Sequence, residues 1–188
     1  MKKLFLLSLL LCLLVFAGCN NKTKPVPETR EIQETEIPDT TIYGKCGEGT
    51  AMHTLELITD KGDTIIYSLE DADTEADVQG GLFSGDRLAI VACKGLDGGM
   101  FAKKVINLTS LIGKWGSLDK SFEICEGGFV ESNVTEPKPY TEWKILNGML
   151  VLSADTFNIY NLGPDSLLLE NSQGIYGYKR FSKEADNK

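Results

Sequence analysis

The sequence contains one histidine, His53, and neither a Gly-x-Ser-x-Gly nor a Cys-x-x-Cys stretch. A Ser-His-Asp hydrolase needs a base beside a nucleophile held on a sharp turn, and a dithiol redox centre or structural zinc needs closely spaced thiols. Neither chemistry has its parts here. His53 falls in phase with Ala51, Leu55 and Leu57, which predicts a half-buried side chain with a satisfied partner rather than a base or a ligand. Basic charge is also scarce, with 19 Lys and Arg against 27 Asp and Glu and no basic cluster. A nucleic-acid binder needs a basic face that releases counterions, so no nucleic-acid partner is expected. Asp71, Asp73, Glu75 and Asp77 alternate in EDADTEADVQGG, but Ala76 and Leu82 stand where a calcium loop of the EF-hand kind needs glycine and a bidentate acid. The stretch reads as a solvated acidic loop. No catalytic residue, metal or cofactor is expected.

Long hydrophobic runs are missing too. The longest, Leu4–Phe16, has 13 residues, against the roughly 20 needed to cross a bilayer as a helix. Behind Lys2 and Lys3 it has the length of a secretory h-region, so residues 1–18 read as a signal peptide. The next four residues, Phe16-Ala17-Gly18-Cys19, resemble the lipobox of bacterial lipoproteins, which implies a lipid-modified Cys19 as mature N-terminus and attachment to a membrane. Several acyl chains on one cysteine, each buried CH₂ contributing about 0.8 kcal/mol, make detachment rare. Losing residues 1–18 removes two lysines and no acid, so the net charge of −8 becomes −10. Residues 19–41, rich in Glu, Thr and Pro, bury too little apolar surface to order themselves and read as a flexible tether. Residues 182–188 read as a disordered tail.

From Ile42 the pattern switches to period two. Leu55 and Leu57 oppose Thr54 and Glu56, Lys61-Gly62-Asp63 turns the chain, and Ile65, Tyr67 and Leu69 alternate with Thr64, Ile66, Ser68 and Glu70, a hairpin pattern. GLFSGDRLAIVACKG and MFAKKVINL complete about five strands, so residues 42–109 resemble a small OB-like or SH3-like β-barrel. Export permits a disulfide, and Cys46 with Cys93 is the candidate pair; its loop would contribute about 4 kcal/mol on the chain-entropy account. Two free thiols fit the sequence equally well, because spacing does not fix Cα proximity.

In the second half, TEWKIL-NG-MLVL carries the strongest local signal. Asn147-Gly148 suits a two-residue type I′ turn, which sets Leu146 opposite Met149, Ile145 opposite Leu150 and Trp143 opposite Leu152. Trp143, Ile145, Leu150 and Leu152 then share the core face. SFEIC, DTFNIYNL, DSLLLEN and GIYGYKRF add short strands. Gly113-Lys114-Trp115 resembles the Gly-x-Trp that opens the first strand of lipocalins and other calycins, and Arg180 sits on the last predicted strand, where those barrels pack a basic residue on the tryptophan at closure. Residues 110–181 are thus similar to the compact lipocalin-like domains of Gram-negative lipoproteins, often preceded by a small β-domain.

The resemblance implies an all-β protein, a five-stranded OB/SH3-like barrel followed by a compact antiparallel lipocalin-like barrel. It also implies a non-enzymatic, lipid-anchored envelope protein of the outer membrane, on its periplasmic face, that binds a small apolar ligand. Trp143, Ile145, Leu150, Leu152, Phe157 and Ile159 are the candidates to line such a cavity. The competing reading is a structural or inhibitory module whose barrel is filled by its own side chains and whose surface contacts another envelope protein.

Overall fold

The computed structural model describes residues 38–132, 135 and 137–181. The signal peptide, Cys19, the tether up to Ile37 and the tail at 182–188 lie outside the described residues.

The first sheet contains β1 (Ile42–Cys46), β2 (Thr54–Thr59), β3 (Thr64–Ser68), β6 (Asp77–Gln79), β7 (Arg87–Lys94) and β8 (Met100–Asn107), with the small hairpin β4 (Glu70–Asp71) and β5 (Thr74–Glu75) in between. The six strands pair in the order β3-β2-β1-β7-β8-β6, and β3 also meets β8 in parallel at Ser68↔Phe101, which curls the sheet on itself. The period-two reading holds in β2 and β3: Leu55, Leu57 and Tyr67 are fully buried while Ile66 faces solvent. The Tyr67 hydroxyl is enclosed without a hydrogen-bond partner among the described residues.

The acidic stretch departs from its expected loop. Glu70–Asp71 pairs with Thr74–Glu75, and Asp77–Gln79 runs parallel to Lys104–Ile106. Val78 packs on the first core and Asp77 pairs with Lys104 at 2.9 Å, so the acids are spaced along backbone ladders rather than gathered round an ion. His53 departs too. The strand begins only at Thr54, and His53 stays 59% exposed with Nδ1 2.5 Å from Glu70 Oε1.

A single helical turn, α1 (Leu108–Leu111), leads into β9 (Gly113–Gly116), β10 (Ser121–Ile124), β11 (Val130–Ser132), β12 (Trp143–Leu146), β13 (Met149–Leu152), β14 (Asp155–Leu162), β15 (Ser166–Asn171) and β16 (Gly174–Arg180). These eight strands form an up-and-down antiparallel barrel in which β16 returns to β9. It is nearly closed, its remaining seam spanned by the bridge Phe129↔Glu142 and by Trp143 N–H donating to Gly128 O at 2.8 Å. The Asn147-Gly148 turn has both φ angles positive, +49° and +78°, and gives the register read from sequence: Leu146↔Met149, Ile145↔Leu150, Trp143↔Leu152.

Strands β7 and β8 are buried on both faces, and this is how the two sheets join within one unit that begins at Pro38. Leu88, Ile90, Ala102 and Val105 fill the first core, whereas Ala89 and Ile106 point the other way and belong to the core of the eight-stranded barrel. Polar contacts complete the seam. Tyr43 Oη donates to Ile145 O at 2.9 Å, Lys104 Nζ to Asn158 Oδ1 at 2.6 Å, and Leu162 N to Gln79 Oε1 at 2.9 Å. Residues 38–41, read from sequence as the end of the tether, are seated here: Thr40 N and Oγ1 both donate to Asn147 Oδ1 at 2.8 Å, and Asn147 N donates to Thr41 Oγ1 at 2.9 Å.

Candidate functional site

The eight-stranded barrel defines the site by what fills it. Every one of its strands sends at least one side chain inward, from Trp115 on β9 and Phe122 on β10 through Val130, Ile145, Leu150, Phe157 and Leu167 to Tyr178 on β16, and all belong to one buried cluster. Phe122 sits at the centre, edge-on to Tyr140 at 5.4 Å and to Tyr178 at 5.1 Å between ring centroids. The expected lining residues Ile145, Leu150, Leu152, Phe157 and Ile159 are all buried in this cluster, and Trp143 is half-buried against it. With the inward side chains of the other strands they form one buried cluster. Eight strands enclose a space just wide enough for that.

At the opposite wall the structure brings Trp115 and Arg180 together. They are cross-strand partners on β9 and β16, with the guanidinium carbon 4.1 Å from the indole centroid. The fork of Arg180 is used fully: Nε donates to Pro164 O at 2.8 Å, Nη1 to Ile112 O at 2.9 Å, and Nη2 to Ser110 O. Trp115 Nε1 donates to Leu111 O at 2.8 Å. Burial pulls the Arg180 pKa below that of an ordinary arginine, yet a guanidinium remains charged at neutral pH. Here the pair ties the end of α1 to both edges of the closure.

The other end of α1 is held by a buried polar network that sequence reading missed. Asn107, fully buried, caps the turn by accepting from Ser110 N at 2.9 Å and donates through Nδ2 to Asp86 Oδ2 at 2.6 Å and Gly81 O at 3.0 Å. Asn before a short Thr-Ser pair is a capping signal in retrospect. The rest of the network is long-range and leaves no local pattern.

The expected Cys46–Cys93 bridge is not formed, and Cys46, Cys93 and Cys125 are free thiols. The β1–β7 register, Lys45↔Arg87, places Cys46 beside Asp86. Cys93 is then seven residues further along β7, about 23 Å away, whereas a disulfide needs Cα atoms within about 7 Å. Burial, then Glu131 and Glu123, push the Cys125 thiol pKa up, which leaves it a poor nucleophile.

What the barrel leaves outside is an apolar strip. Leu118, Ile175 and Phe181 are 103%, 58% and 48% exposed and border one groove of about 700 Å³ with Tyr176 and Lys179. Its floor is bare backbone at Gly116 and Gly177, and the Phe181 ring lies so close over Gly116 that a Cβ there would stand 2.0 Å from it. The signal for this strip was weak, since Leu118 sits in a Gly-Ser-Leu-Asp turn and Phe181 follows the last strand. Among the described residues no three His, Cys, Asp or Glu side chains converge as metal ligands.

No protein family, no curated protein and no solved structure matches this chain.

Proposed function

We propose that the protein is a non-enzymatic, lipid-anchored interaction module of the cell envelope, held at the periplasmic face of the outer membrane by an acylated Cys19. In this reading residues 42–109 are an OB-like β-domain and residues 110–181 a compact lipocalin-like barrel. The path β1-β2-β3-β8-β7 with a parallel β3–β8 contact supports the first assignment, and the eight-stranded meander with Arg180 on Trp115 supports the second. The observation that carries the function is the external apolar strip at Leu118, Ile175 and Phe181, beside a barrel whose inward side chains form one buried cluster. Exposed apolar patches rimmed by polar groups are where proteins meet partners, and the partner class here is another envelope protein.

A photo-crosslinking residue at Leu118 or Ile175 of the full chain, expressed in its own envelope, tests this. One discrete adduct from both positions, absent when the crosslinker replaces the equally exposed Ile66 on the other sheet, is the expected result. Native mass spectrometry showing a stoichiometric apolar small molecule on the purified chain would reinstate the barrel as a ligand carrier and overturn the proposal.

A further inference from the structure

The seam between the two sheets holds a second surface. A cleft of about 510 Å³ runs between them, bordered by Lys45, Thr109, Ile112, Glu126 and Trp143. It forms a trough with Trp143 on its wall. Trp143 is half-buried and fixed, its Nε1 donating to Cys125 O at 2.7 Å, so its orientation is set before any ligand arrives and little ordering cost remains.

We infer that this trough binds a neutral oligosaccharide, stacked on Trp143 and hydrogen-bonded by Glu126, Lys45 and Thr109. Three features of the trough select that class. Its charges balance: one carboxylate, Glu126, accompanies one ammonium, Lys45, and Arg87, which also borders the cleft, is paired with Asp60. A polyanion would find no net attraction there. Its other polar groups are a carboxylate, an ammonium and a hydroxyl, acceptors and donors suited to a polyol, while the indole and Ile112 offer apolar surface to the C–H face of a pyranose ring. Finally, the main chain bordering it is already paired, since Trp143 N donates to Gly128 O and Val130 N to Thr141 O. An extended peptide, which binds by adding a strand to an open edge, has no template at that point.

The chain has only two tryptophans, and the other, Trp115, is buried in the barrel, so two indole N–H resonances report the two sites separately. The full chain is titrated with cellotetraose, maltotetraose and chitotetraose, with tetra-alanine and heparin as controls. At least one of the tetrasaccharides should move the Trp143 indole signal saturably below about 10 mM while Trp115 stays still, and neither control should do so. Trp143→Ala should abolish binding. Because that change also breaks the bond to Cys125, the exposed Glu126→Ala serves as a second variant, expected to keep the spectrum of the folded chain and weaken binding about fivefold. The inference is overturned if none of the three sugars moves Trp143, if Glu126→Ala leaves affinity unchanged, or if tetra-alanine or heparin saturates the same signal.

Discussion

The guanidinium carbon of Arg180 lies over Trp115, 4.1 Å from the indole centroid, while its nitrogens reach the carbonyls of Ser110, Ile112 and Pro164. Hydrogen bonds from a charged donor contribute about 1.5–3 kcal/mol each, and a cation over an indole about 0.5–2 kcal/mol. The contributions overlap, so Arg180→Ala should cost about 3 kcal/mol in a urea titration. Arg180→Lys should recover little of it, because a single ammonium replaces a fork aimed in three directions. A loss below about 1 kcal/mol would mean that the closure is held by the strands alone.

Gly80 marks the other tie between the sheets. Its φ is +87°, and a Cβ there would stand 2.9 Å from Asn107 Cβ, Leu162 Cδ2 and Ser110 Cβ, all in the packed seam. Its N–H donates to Leu162 O at 3.1 Å and its carbonyl accepts from Ser110 Oγ at 2.8 Å. Gly80→Ala therefore combines backbone strain with overpacking and should destabilise by about 3 kcal/mol or more. The same change at Gly62, where nothing lies within 4 Å, should cost about 1 kcal/mol. Equal midpoints for the two variants in thermal melts would contradict the seam as drawn.

Acid should weaken the fold in a defined window. Arg87 beside Asp60 holds that carboxyl below its ordinary 3.8, and Asp39, which accepts hydrogen bonds from Thr41, is shifted the same way. A depressed carboxyl binds fewer protons folded than unfolded, so its contribution is complete above the ordinary value and disappears as pH falls through the lower, folded one. Asp60 and Arg87 are both about half exposed, 51% and 40%, and water screens the pair to well under about 1 kcal/mol. Asp60→Asn should lower stability slightly at pH 7 and change little once the native carboxyl is protonated, so that the profile flattens below about pH 4, and high salt should act in the same direction as the substitution.

Tyr67 offers a change in the opposite direction. Burial raises its hydroxyl pKa, and the oxygen makes no hydrogen bond among the described residues. An enclosed unsatisfied hydroxyl costs about 1–3 kcal/mol, so Tyr67→Phe should raise the melting midpoint, the ring packing being retained.

Which parts of this were legible in the sequence follows from the range of the interactions. The Asn147-Gly148 hairpin was readable to the residue because turn chemistry fixes register locally. The Trp115–Arg180 pair was readable only through resemblance, since 64 intervening positions carry no trace of it. The EDADTEADVQ strands were not, because β4 and β5 pair only with each other and β6 is placed by β8 and by Leu162 rather than by its own apolar content. RLAIVACK did carry an unused signal: a strand apolar on both faces is buried on both, and it was this that joined the two sheets. His53 was misplaced by extending a strand's phase past its first residue, Thr54.

The thiols give the sharpest check on the first sheet. Antiparallel pairing of Tyr43 with Ala89 and Lys45 with Arg87 forces Cys46 and Cys93 to opposite ends of β7, and only a slide of β1 by about seven residues would bring them together. Cys46 is 2% exposed with Sγ 3.3 Å from Thr50 Oγ1, whereas Cys93 faces solvent. Maleimide added to the native chain should therefore label Cys93 first and Cys46 only at the rate of unfolding. Cys125 should react more slowly than Cys93, because its raised pKa keeps the thiolate scarce. A non-reducing peptide map should contain no 46–93 linked fragment. Recovering that fragment in stoichiometric yield from folded protein would show that β1 pairs in a different register, and with it would fall the contact of Tyr43 with Ile145 that fastens the first sheet to the barrel.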